Sequence, residues 1–350
     1  MPNVTADRLM EIADGLLQAA GASAEEAATI ARYNIGANLV GHDSHGIILI
    51  PTYIDRIKAG HIVPGAPWNI VQETGTSTVI DGNWGFGYVV TDRAMRYTID
   101  KAKKQQVAAA TVYRQSHIGR LASYPLMAAR EGMIAMITAD SGRSAKAVAP
   151  FGGAKARLGT NPICFAVPSN LEGPLFFDMA TSAAAAGKIN VATARGEQVP
   201  AGWLIDADGK PSTDPRVLRQ GGALLPVGGS EGYKGYGLAT IVEILSGLLT
   251  GLGYGVEPSG RHNDGCFIAV FNVAAFRDLE TFRQEVTEFA QYLKATPPAQ
   301  GFTEVLYPGE IEFKREQERR KNGIPVEDAT WKRLQDLAQG YGLTEKLGLS

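Results

Sequence analysis

The chain has 350 residues, of which 45% are apolar and 20% are charged, and its formal net charge is -2. This composition is ordinary for a folded globular protein and excludes disorder throughout. A net charge so close to zero gives no general attraction for nucleic acid, so we expect no nucleic-acid partner.

The two ends of the chain are predicted to form helical parts. Over residues 1–70, Thr5 is placed to cap a first helix, and Ser23 with Glu26 forms a capping-box pattern that begins a second helix running to about residue 39. A third helix is predicted over 51–59. We expect the apolar faces of the second and third helices to hold the loop that joins them in place.

Residues 71–270 alternate short β-rich runs with helices, which predicts an α/β domain. The stretch 194–232 is rich in Gly, Pro and Asp and has little periodicity, so we expect a long surface excursion there, such as a lid or an arm to a partner subunit. The predicted strands are 76–80, 108–113, 133–138, 163–167, 175–177 and 265–271, and the predicted helices are 90–103, 123–130 and 236–249.

Residues 271–350 predict further helices that pack on the N-terminal part. The basic run 314–321 is interleaved with Glu316 and Glu318, which is typical of a solvated surface segment. The most apolar stretch, 238–254, is short for a membrane span and predicts a buried helix. With no signal-peptide pattern at the start, we expect a cytoplasmic protein without membrane association.

The segment Gly41-His42-Asp43-Ser44-His45-Gly46 holds two of the five histidines in the chain. Histidine exchanges protons near neutral pH, and the Ser44 hydroxyl beside His45 can steer such a proton. From these residues alone, an active-site loop and a polar turn that caps the next helix have about equal support.

Four other positions are ambiguous when taken singly. His117 follows a predicted strand, where α/β domains place reactive groups, although a structural histidine is the commoner outcome. Thr160 lies in a turn that could hold an anion, and Asp178 could bind a ribose or cap a helix. Lys234 opens an apolar helix and would suit a phosphate.

Common catalytic templates are missing from the sequence. It has no HExxH, CxxC or GxSxG pattern, and the glycines of 251–255 follow a helix and lack the spacing of a dinucleotide fingerprint, so we expect no metal site. Cys164 and Cys266 read as core residues of strands. A hydrolase using Ser44, His45 and Asp178, or a non-catalytic binding protein, stays a weak alternative.

Taken together, the order and spacing of the motifs resemble the malate/L-lactate dehydrogenase-like oxidoreductase family, which is distinct from the Rossmann-type dehydrogenases. The resemblance is nearest to its hydroxycarboxylate dehydrogenase B branch. The motifs that carry it are 43–46, 81–82, 85–87, 116–119, 158–162, 178–182, 187–189, 234–237 and 308–310.

The resemblance implies hydride transfer between NAD(P)H and a 2-oxo acid, its 2-hydroxy acid or a related imine. It implies an α/β fold of α+β character, with a non-Rossmann cofactor domain on a largely antiparallel sheet and a helical domain built from both chain ends. It also implies a homodimer. A carbonyl that receives hydride gains negative charge on its oxygen, and a protonated histidine can donate to it. We expect His45 to be that acid/base, Ser44 to orient it, and His117 to be a second acid/base or a contact to substrate and nicotinamide.

The resemblance also places a cofactor, NAD or NADP, on a set of residues. The choice between the two is open, since it depends on charge near the ribose 2′ position, where Arg143, Lys146 and Lys155 are candidates. The expected cofactor-binding residues are His117, Ile118, Gly119, Arg120, Leu121, Thr160, Asp178, Met179, Ala180, Lys234, Pro308, Gly309 and Glu310.

Two departures from the family pattern bear on the substrate. Many relatives have an arginine four residues after the motif histidine, where this chain has Leu49. We expect Arg120 to bind the substrate carboxylate instead, with Arg56 as the next candidate, and Leu49 to face an apolar substrate side chain. Imine-reducing members carry an acid at the position of Lys188, and its absence argues against imine reduction as the main activity. A cyclic imine or a sugar-derived keto acid is kept as the alternative substrate.

Overall fold

The computed structural model describes residues 1–140, 144–256, 261 and 263–349. In chain order, its strands are β1 (Asn3–Val4), β2 (Asn69–Glu73), β3 (Ser77–Gly85), β4 (Val107–Gln115), β5 (Met133–Ala139), β6 (Ile163–Val167), β7 (Leu175–Met179), β8 (Leu204–Ile205), β9 (Pro211–Ser212), β10 (Ala223–Leu224), β11 (Cys266–Asn272) and β12 (Ile324–Pro325). Its α-helices are α1 (Ala6–Ala19), α2 (Ala24–Leu39), α3 (Ile50–Lys58), α4 (Gly87–Gln105), α5 (Pro125–Arg130), α6 (Ala186–Arg195), α7 (Gly232–Glu243), α8 (Leu279–Lys294), α9 (Glu310–Asn322) and α10 (Asp328–Gly340).

The main sheet has the strand order β2-β3-β4-β11-β5-β6-β7. Within the described ranges, β3 and β4 are its parallel pair, and its other neighbouring strands are antiparallel. The expected α/β fold of α+β character, with a largely antiparallel, non-Rossmann sheet, is therefore confirmed. The edge strand β2 was not predicted, because all five of its residues are exposed and give no alternating burial pattern.

Local sequence rules account for the first helices. The Thr5 hydroxyl accepts the N–H of Arg8 at 3.3 Å, and Ser23 with Glu26 forms the predicted reciprocal capping box. The buried face of α1 joins a hydrophobic core that continues into the sheet and the C-terminal helix α10. This shared core includes Leu39, Ile47 and Ile50, so both ends of the loop after α2 are anchored in it.

Both ends of the chain meet in one helical part, as predicted. β1 and β12 pair antiparallel, with Val4 opposite Ile324. Helix α9 packs on α2, and α10 packs on α3. Helix α8 begins instead beside the turn before β5, since a Cβ at Gly132 would lie 2.6 Å from the Leu279 side chain. The boundaries proposed at residues 70 and 270 stay a prediction.

The stretch 194–232 is more ordered than its composition implies. β8 lies between β9 and β10 in a small sheet, and Leu204 and Leu224 belong to a separate hydrophobic cluster with Ile189 of α6. Two-residue strands are too short to show periodicity in a sequence. The region is therefore a small packed subdomain rather than a loop without structure.

The apolar helix after residue 232 is only partly buried, so the expectation of a buried helix is wrong for one face. Helix α7 continues as a π-helical turn, Ile244–Leu248. Ile241, Leu248 and Leu249 are 52%, 48% and 57% exposed. Among the described helices, none is both long and apolar enough to cross a membrane. Cys164 and Cys266 are buried in strands, as predicted.

Candidate active site

The loop between α2 and α3 presents Ser44 and His45 on a single 3-10 turn, Asp43–His45. The Ser44 hydroxyl oxygen lies 3.0 Å from His45 Nδ1. A Cβ at Gly46 would lie 2.2 Å from the Asn38 side-chain oxygen, which accepts the N–H of Ile47 at 2.8 Å. Glycine is required here because the loop closes directly onto α2.

The structure brings His117 against His45. Their ring centroids are 5.7 Å apart and the planes are inclined by 23°. The segment after β4 is held in place because the N–H of Ile118 donates to Asp264 Oδ2 at 3.1 Å and the Tyr124 hydroxyl donates to the Ile118 carbonyl at 2.6 Å. Two histidines from separate motifs therefore share one site.

A series of hydrogen bonds ends at His117. Asn34 Nδ2 donates to the His45 carbonyl at 3.3 Å and to the Tyr88 hydroxyl at 2.7 Å. The carbonyl can only accept, so it fixes the orientation of the Asn34 amide. The Tyr88 and Tyr53 hydroxyl oxygens lie 3.1 Å apart, and the Tyr53 hydroxyl oxygen lies 2.8 Å from His117 Nδ1. The two histidine motifs are therefore joined through buried side chains.

Burial keeps both tyrosines protonated. It raises the pKa of Tyr53 and of Tyr88 above the ordinary value for a phenol. The segment 117–121 packs directly on the Tyr88 side chain. Gly119 has φ +73°, and a Cβ there would lie 2.2 Å from the Tyr88 hydroxyl oxygen. The side chains of Ile118 and Leu121 are buried, so only their backbone can face a ligand.

His45 is a neutral base at neutral pH. Burial is the main cause that lowers its pKa to about 4, and the positive charges of His42 and Arg120 lower it further, against the opposing effect of Asp264. The charge of Arg120 therefore acts on the imidazole that the sequence selects as the acid/base.

Arg120 is 8% exposed and lies over the Phe176 ring, with 5.0 Å between its guanidinium carbon and the ring centroid. Within the described part of the chain, its Nε and Nη2 are buried without a hydrogen-bond partner. Burial lowers the pKa of Arg120, while the negative charge of Asp178 opposes that shift. Because buried donors are costly to leave unpaired, this guanidinium is suited to an anionic ligand.

The predicted cofactor residues of β7 and its neighbours lie beside Arg120. Asp178 Oδ2 accepts the N–H of Ala122 at 2.8 Å, and burial raises the pKa of Asp178 against the opposing charge of Arg120. The carbonyl of Thr160 accepts the N–H of Thr181 at 2.8 Å. Met179 and Ala180 continue from Asp178 and are half-buried.

The loop 308–310 reaches the same region through Phe176, whose N–H donates to the Pro308 carbonyl at 3.2 Å. A Cβ at Gly309 would lie 2.7 Å from the Phe176 ring. The Glu310 carboxylate is engaged within the protein, since it pairs with Lys294 and accepts the N–H of Tyr307 at 3.1 Å. The backbone groups of this loop are therefore more available to a ligand than the Glu310 carboxylate.

Other predicted residues are placed less directly. The Lys234 side chain is 67% exposed and pairs with Glu231 at 3.0 Å. Leu49 packs against the core, and Arg56 has its Nη1 buried without a hydrogen-bond partner among the described residues. Lys146 pairs with buried Glu243 at 3.5 Å. Arg143 lies outside the described residues, and Lys155 is exposed.

The expectation of a solvated surface segment at 314–321 is wrong for Arg319. This side chain is 7% exposed and binds Asp43 with both ends of its guanidinium, Nη1 to Oδ1 at 2.6 Å and Nη2 to Oδ2 at 2.9 Å. An alternating charge pattern cannot distinguish a solvated face from one that packs on a loop distant in sequence. Sequence reasoning also missed the roles of Asn34 and Tyr53, although a buried amide in an apolar helix was an available signal.

The arrangement combines a neutral imidazole, a neighbouring buried cation and several buried polar groups. This set fits a small carboxylate ligand and the polar parts of a nicotinamide cofactor, because Arg120 offers N–H groups that the described residues do not satisfy. Within the described ranges, no three His, Cys, Asp or Glu side chains are grouped so as to hold a metal ion. The site can therefore bind an acid and move a proton.

A family model described as malate/L-lactate dehydrogenase matches residues 4–335. The chain is similar to hydroxycarboxylate dehydrogenase B of Escherichia coli K12, with 35% identity over 334 residues that cover 93% of this chain and 91% of the relative. It superposes on a malate dehydrogenase structure from Entamoeba histolytica with a TM-score of 0.93, 35% identity and coverage of 97% and 98%. A structure of delta1-piperideine-2-carboxylate reductase from Pseudomonas syringae gives a TM-score of 0.85, 29% identity and coverage of 97% and 100%.

Proposed function

The chain belongs to the malate/L-lactate dehydrogenase family, and from that membership we propose that it interconverts 2-oxo and 2-hydroxy acids with NAD or NADP and uses His45 as the proton-transferring residue. The observation that carries the assignment is the position of Arg120. It is a buried cation whose Nε and Nη2 find no partner among the described residues, and its charge lowers the pKa of the adjacent acid/base candidate.

Arg120 binds the carboxylate of the substrate. Two parallel N–H groups match the two oxygens of a carboxylate, and this fixes the direction of the neighbouring C2–O bond. His45 then faces the oxygen on C2. Leu49, packed against the core, limits the space around the C3 side chain and favours an apolar substituent.

His45 moves the proton on the C2 oxygen. For Nε2 to accept a proton, Nδ1 must carry hydrogen and donate to the Ser44 hydroxyl, 3.0 Å away. A neutral His45 can therefore take the hydroxyl proton of a 2-hydroxy acid, and an imidazolium can return it to a 2-oxo acid. The nicotinamide, when bound, supplies or accepts the hydride at C2.

Substrate binding makes the acid form of His45 easier to reach. The positive charge of Arg120 lowers the pKa of His45, so a carboxylate that neutralises Arg120 removes this effect and raises the pKa. His45 is thus a base in the empty site, and a bound carboxylate shifts its pKa toward that of an acid.

His117 contacts the substrate oxygen or the carboxamide of nicotinamide. Its ring lies 5.7 Å from that of His45, and the buried Tyr53 hydroxyl, 2.8 Å from His117 Nδ1, holds it in place. A hydrogen bond from this imidazole to the substrate oxygen would stabilise the negative charge that develops there during reduction.

The cofactor lies along the segments that converge near Arg120. Support comes from the contact of Arg120 with Phe176 and from the hydrogen bond that joins Phe176 to the Pro308 carbonyl. With Lys146 engaged by Glu243, Lys155 is the candidate for a 2′-phosphate among the described residues. The proposed contacts are His117, Ile118, Gly119, Arg120, Leu121, Thr160, Asp178, Met179, Ala180, Lys234, Pro308, Gly309 and Glu310.

Reduction of a cyclic imine is the less favoured activity, although one similar structure is that of a piperideine-carboxylate reductase. A Cβ at Gly187 would lie 3.3 Å from the Ser44 Cβ, so α6 begins against the catalytic loop. The next residue is the exposed Lys188, so a positive charge follows directly on the residue that contacts this loop. A protonated imine is a cation, and such a charge disfavours its binding.

The exposed face of α7 and its π-helical extension is proposed to be covered by a second copy of the chain. Ile241, Ile244, Leu248 and Leu249 are between 42% and 57% exposed and lie at helical spacing. A continuous apolar surface of this kind marks an interface in soluble proteins. Light scattering during size-exclusion chromatography should give twice the mass of the chain, and Leu249→Lys should give a monomer.

The direct test of function is turnover with a panel of 2-oxo acids that differ in side chain, with NADH and NADPH in parallel. The loss of reduced-cofactor absorbance should be fastest with an apolar side chain. His45→Ala should lower kcat by about 10³-fold while keeping cofactor affinity, and His61→Ala serves as a matched control. Full activity of His45→Ala, or hydrolysis of an ester without cofactor, would overturn the assignment.

A further inference from the structure

Helix α9 presents a polar face to the loop that carries His45. Glu312, Arg315, Glu316 and Arg319 have the spacing of one helical face. Glu312 Oε1 lies 3.4 Å from His42 Nε2, and a Cβ at Gly41 would lie 3.1 Å from Arg315 Cγ. This face therefore packs on the loop at several points.

The strongest contact is a hydrogen-bond network around Asp43, in which the Arg319 side chain is buried and that of Asp43 is 49% exposed. Arg319 donates to both carboxylate oxygens of Asp43 and also to the main-chain carbonyl of Asn38. Asp43 Oδ1 accepts a further hydrogen bond from Asn38 Nδ2 at 2.6 Å. Because the guanidinium is planar and both of its ends are bound, it fixes the direction of the loop relative to the end of α2.

The same network continues to Gly46 and Ile47, the two residues after His45. The other side of the Asn38 amide accepts the N–H of Ile47 at 2.8 Å, and Gly46 packs on that amide. Asn38 and Asp43 thus hold the loop on both sides of the imidazole. Arg319 holds both of these residues and does not touch the reacting atoms.

We propose that Arg319 is a positioning residue, which fixes the turn of residues 42–46 and so holds His45 at the distance that proton transfer requires. The proposal rests on the proposed function of His45. Misplacement of a catalytic group by about 1 Å can lower a rate by about 10²-fold. The role of Arg319 is therefore to be seen in kcat more than in the affinity for cofactor.

The test compares Arg319→Met, Arg319→Lys and the matched control Arg320→Met, whose native side chain is exposed and pairs with Glu316 on the same helix. In folded protein, kcat should fall roughly 100-fold for Arg319→Met and roughly tenfold for Arg319→Lys. Lysine keeps the positive charge but has no planar guanidinium to bind both oxygens of Asp43. Arg320→Met should match the parent. The KM for cofactor should change by less than about twofold in all three.

Two further measurements separate this proposal from the proposed function. Asp43→Asn combined with Arg319→Met should lose no more activity than the worse single variant, because the two residues act as a unit. The imidazole titration of His45, followed by NMR, should move upward in Arg319→Met as the loosened turn admits water. Unchanged titration and unchanged kcat in Arg319→Met, or additive losses in the double variant, would overturn the proposal. If His45→Ala stays active, the proposed function fails while the titration still tests the positioning.

Discussion

Replacement of Arg120 by methionine is expected to abolish recognition of the substrate carboxylate. Methionine keeps an apolar stem over the Phe176 ring and removes the guanidinium. Nε and Nη2 lie buried with no partner among the described residues, and each charge-assisted hydrogen bond that a carboxylate makes to them contributes about 1.5–3 kcal/mol. The loss of two such bonds is about 3–6 kcal/mol, which lowers kcat/KM for a 2-oxo acid by about 10²- to 10⁴-fold.

The assay follows the oxidation of reduced cofactor at varied concentrations of a 2-oxo acid and of its uncharged amide. Arg120→Met should lose its preference for the acid, with most of the effect in KM, and should change little with the amide. Removal of the positive charge should also raise the pKa of His45, since Arg120 lowers it in the parent.

Arg56→Met is the matched comparison, because Arg56 is the other arginine near the site with a buried nitrogen that lacks a partner in the described part of the chain. Circular dichroism and thermal melting establish that each variant is folded. An unchanged KM for the 2-oxo acid in folded Arg120→Met would refute the reasoning. A large loss in Arg56→Met alone would transfer the role to Arg56.

Three other predictions concern proton transfer and stability. For oxidation of a 2-hydroxy acid, kcat/KM should be flat near neutral pH and fall as the pH is lowered through the His45 pKa of about 4, since the base must be neutral. Tyr53→Phe should lower kcat by about tenfold, because it removes the buried hydroxyl that hydrogen-bonds His117 Nδ1. Lys146→Met should lower the free energy of unfolding by about 3 kcal/mol in urea titration, because it leaves the buried Glu243 carboxylate without its cation.

These predictions have matched controls. Tyr97→Phe removes a tyrosine hydroxyl outside the site and should keep the parent kcat. Lys155→Met removes an exposed lysine and should keep the parent urea midpoint. A pH profile that falls instead near pH 6.5 would contradict the lowered pKa of His45. Unchanged kcat in Tyr53→Phe would remove the hydrogen bond between Tyr53 and His117 from the mechanism, and an unchanged urea midpoint in Lys146→Met would show that the buried pair contributes no stability.

Sequence reasoning reached the parts of the site whose signal is local. His45 and His117 stand in short motifs whose chemistry is visible without a fold, and the capping box at Ser23 follows from two residues three positions apart. The family resemblance added the antiparallel sheet, which strand patterns alone do not order.

The parts that were missed depend on contacts between distant residues. Arg319 and Asp43 are 276 positions apart, and the charge pattern around Arg319 is that of any solvated helix. Tyr53 lies on the apolar stripe of α3, where the sequence predicts only that its ring packs in the core. The hydrogen bond between this residue and His117 has no signal in the sequence. The strands β8–β10 are two residues long and carry no periodicity to detect.

The 276 positions between Asp43 and Arg319 also determine how long after Asp43 its partner is synthesised. A ribosome that adds about 5–20 residues per second needs about 14–55 s to travel from one to the other. For most of that interval the first helices have left the exit tunnel, while the arginine that pairs with Asp43 has not been made. The turn that carries His45 can therefore gain this contact only after the final helices are synthesised.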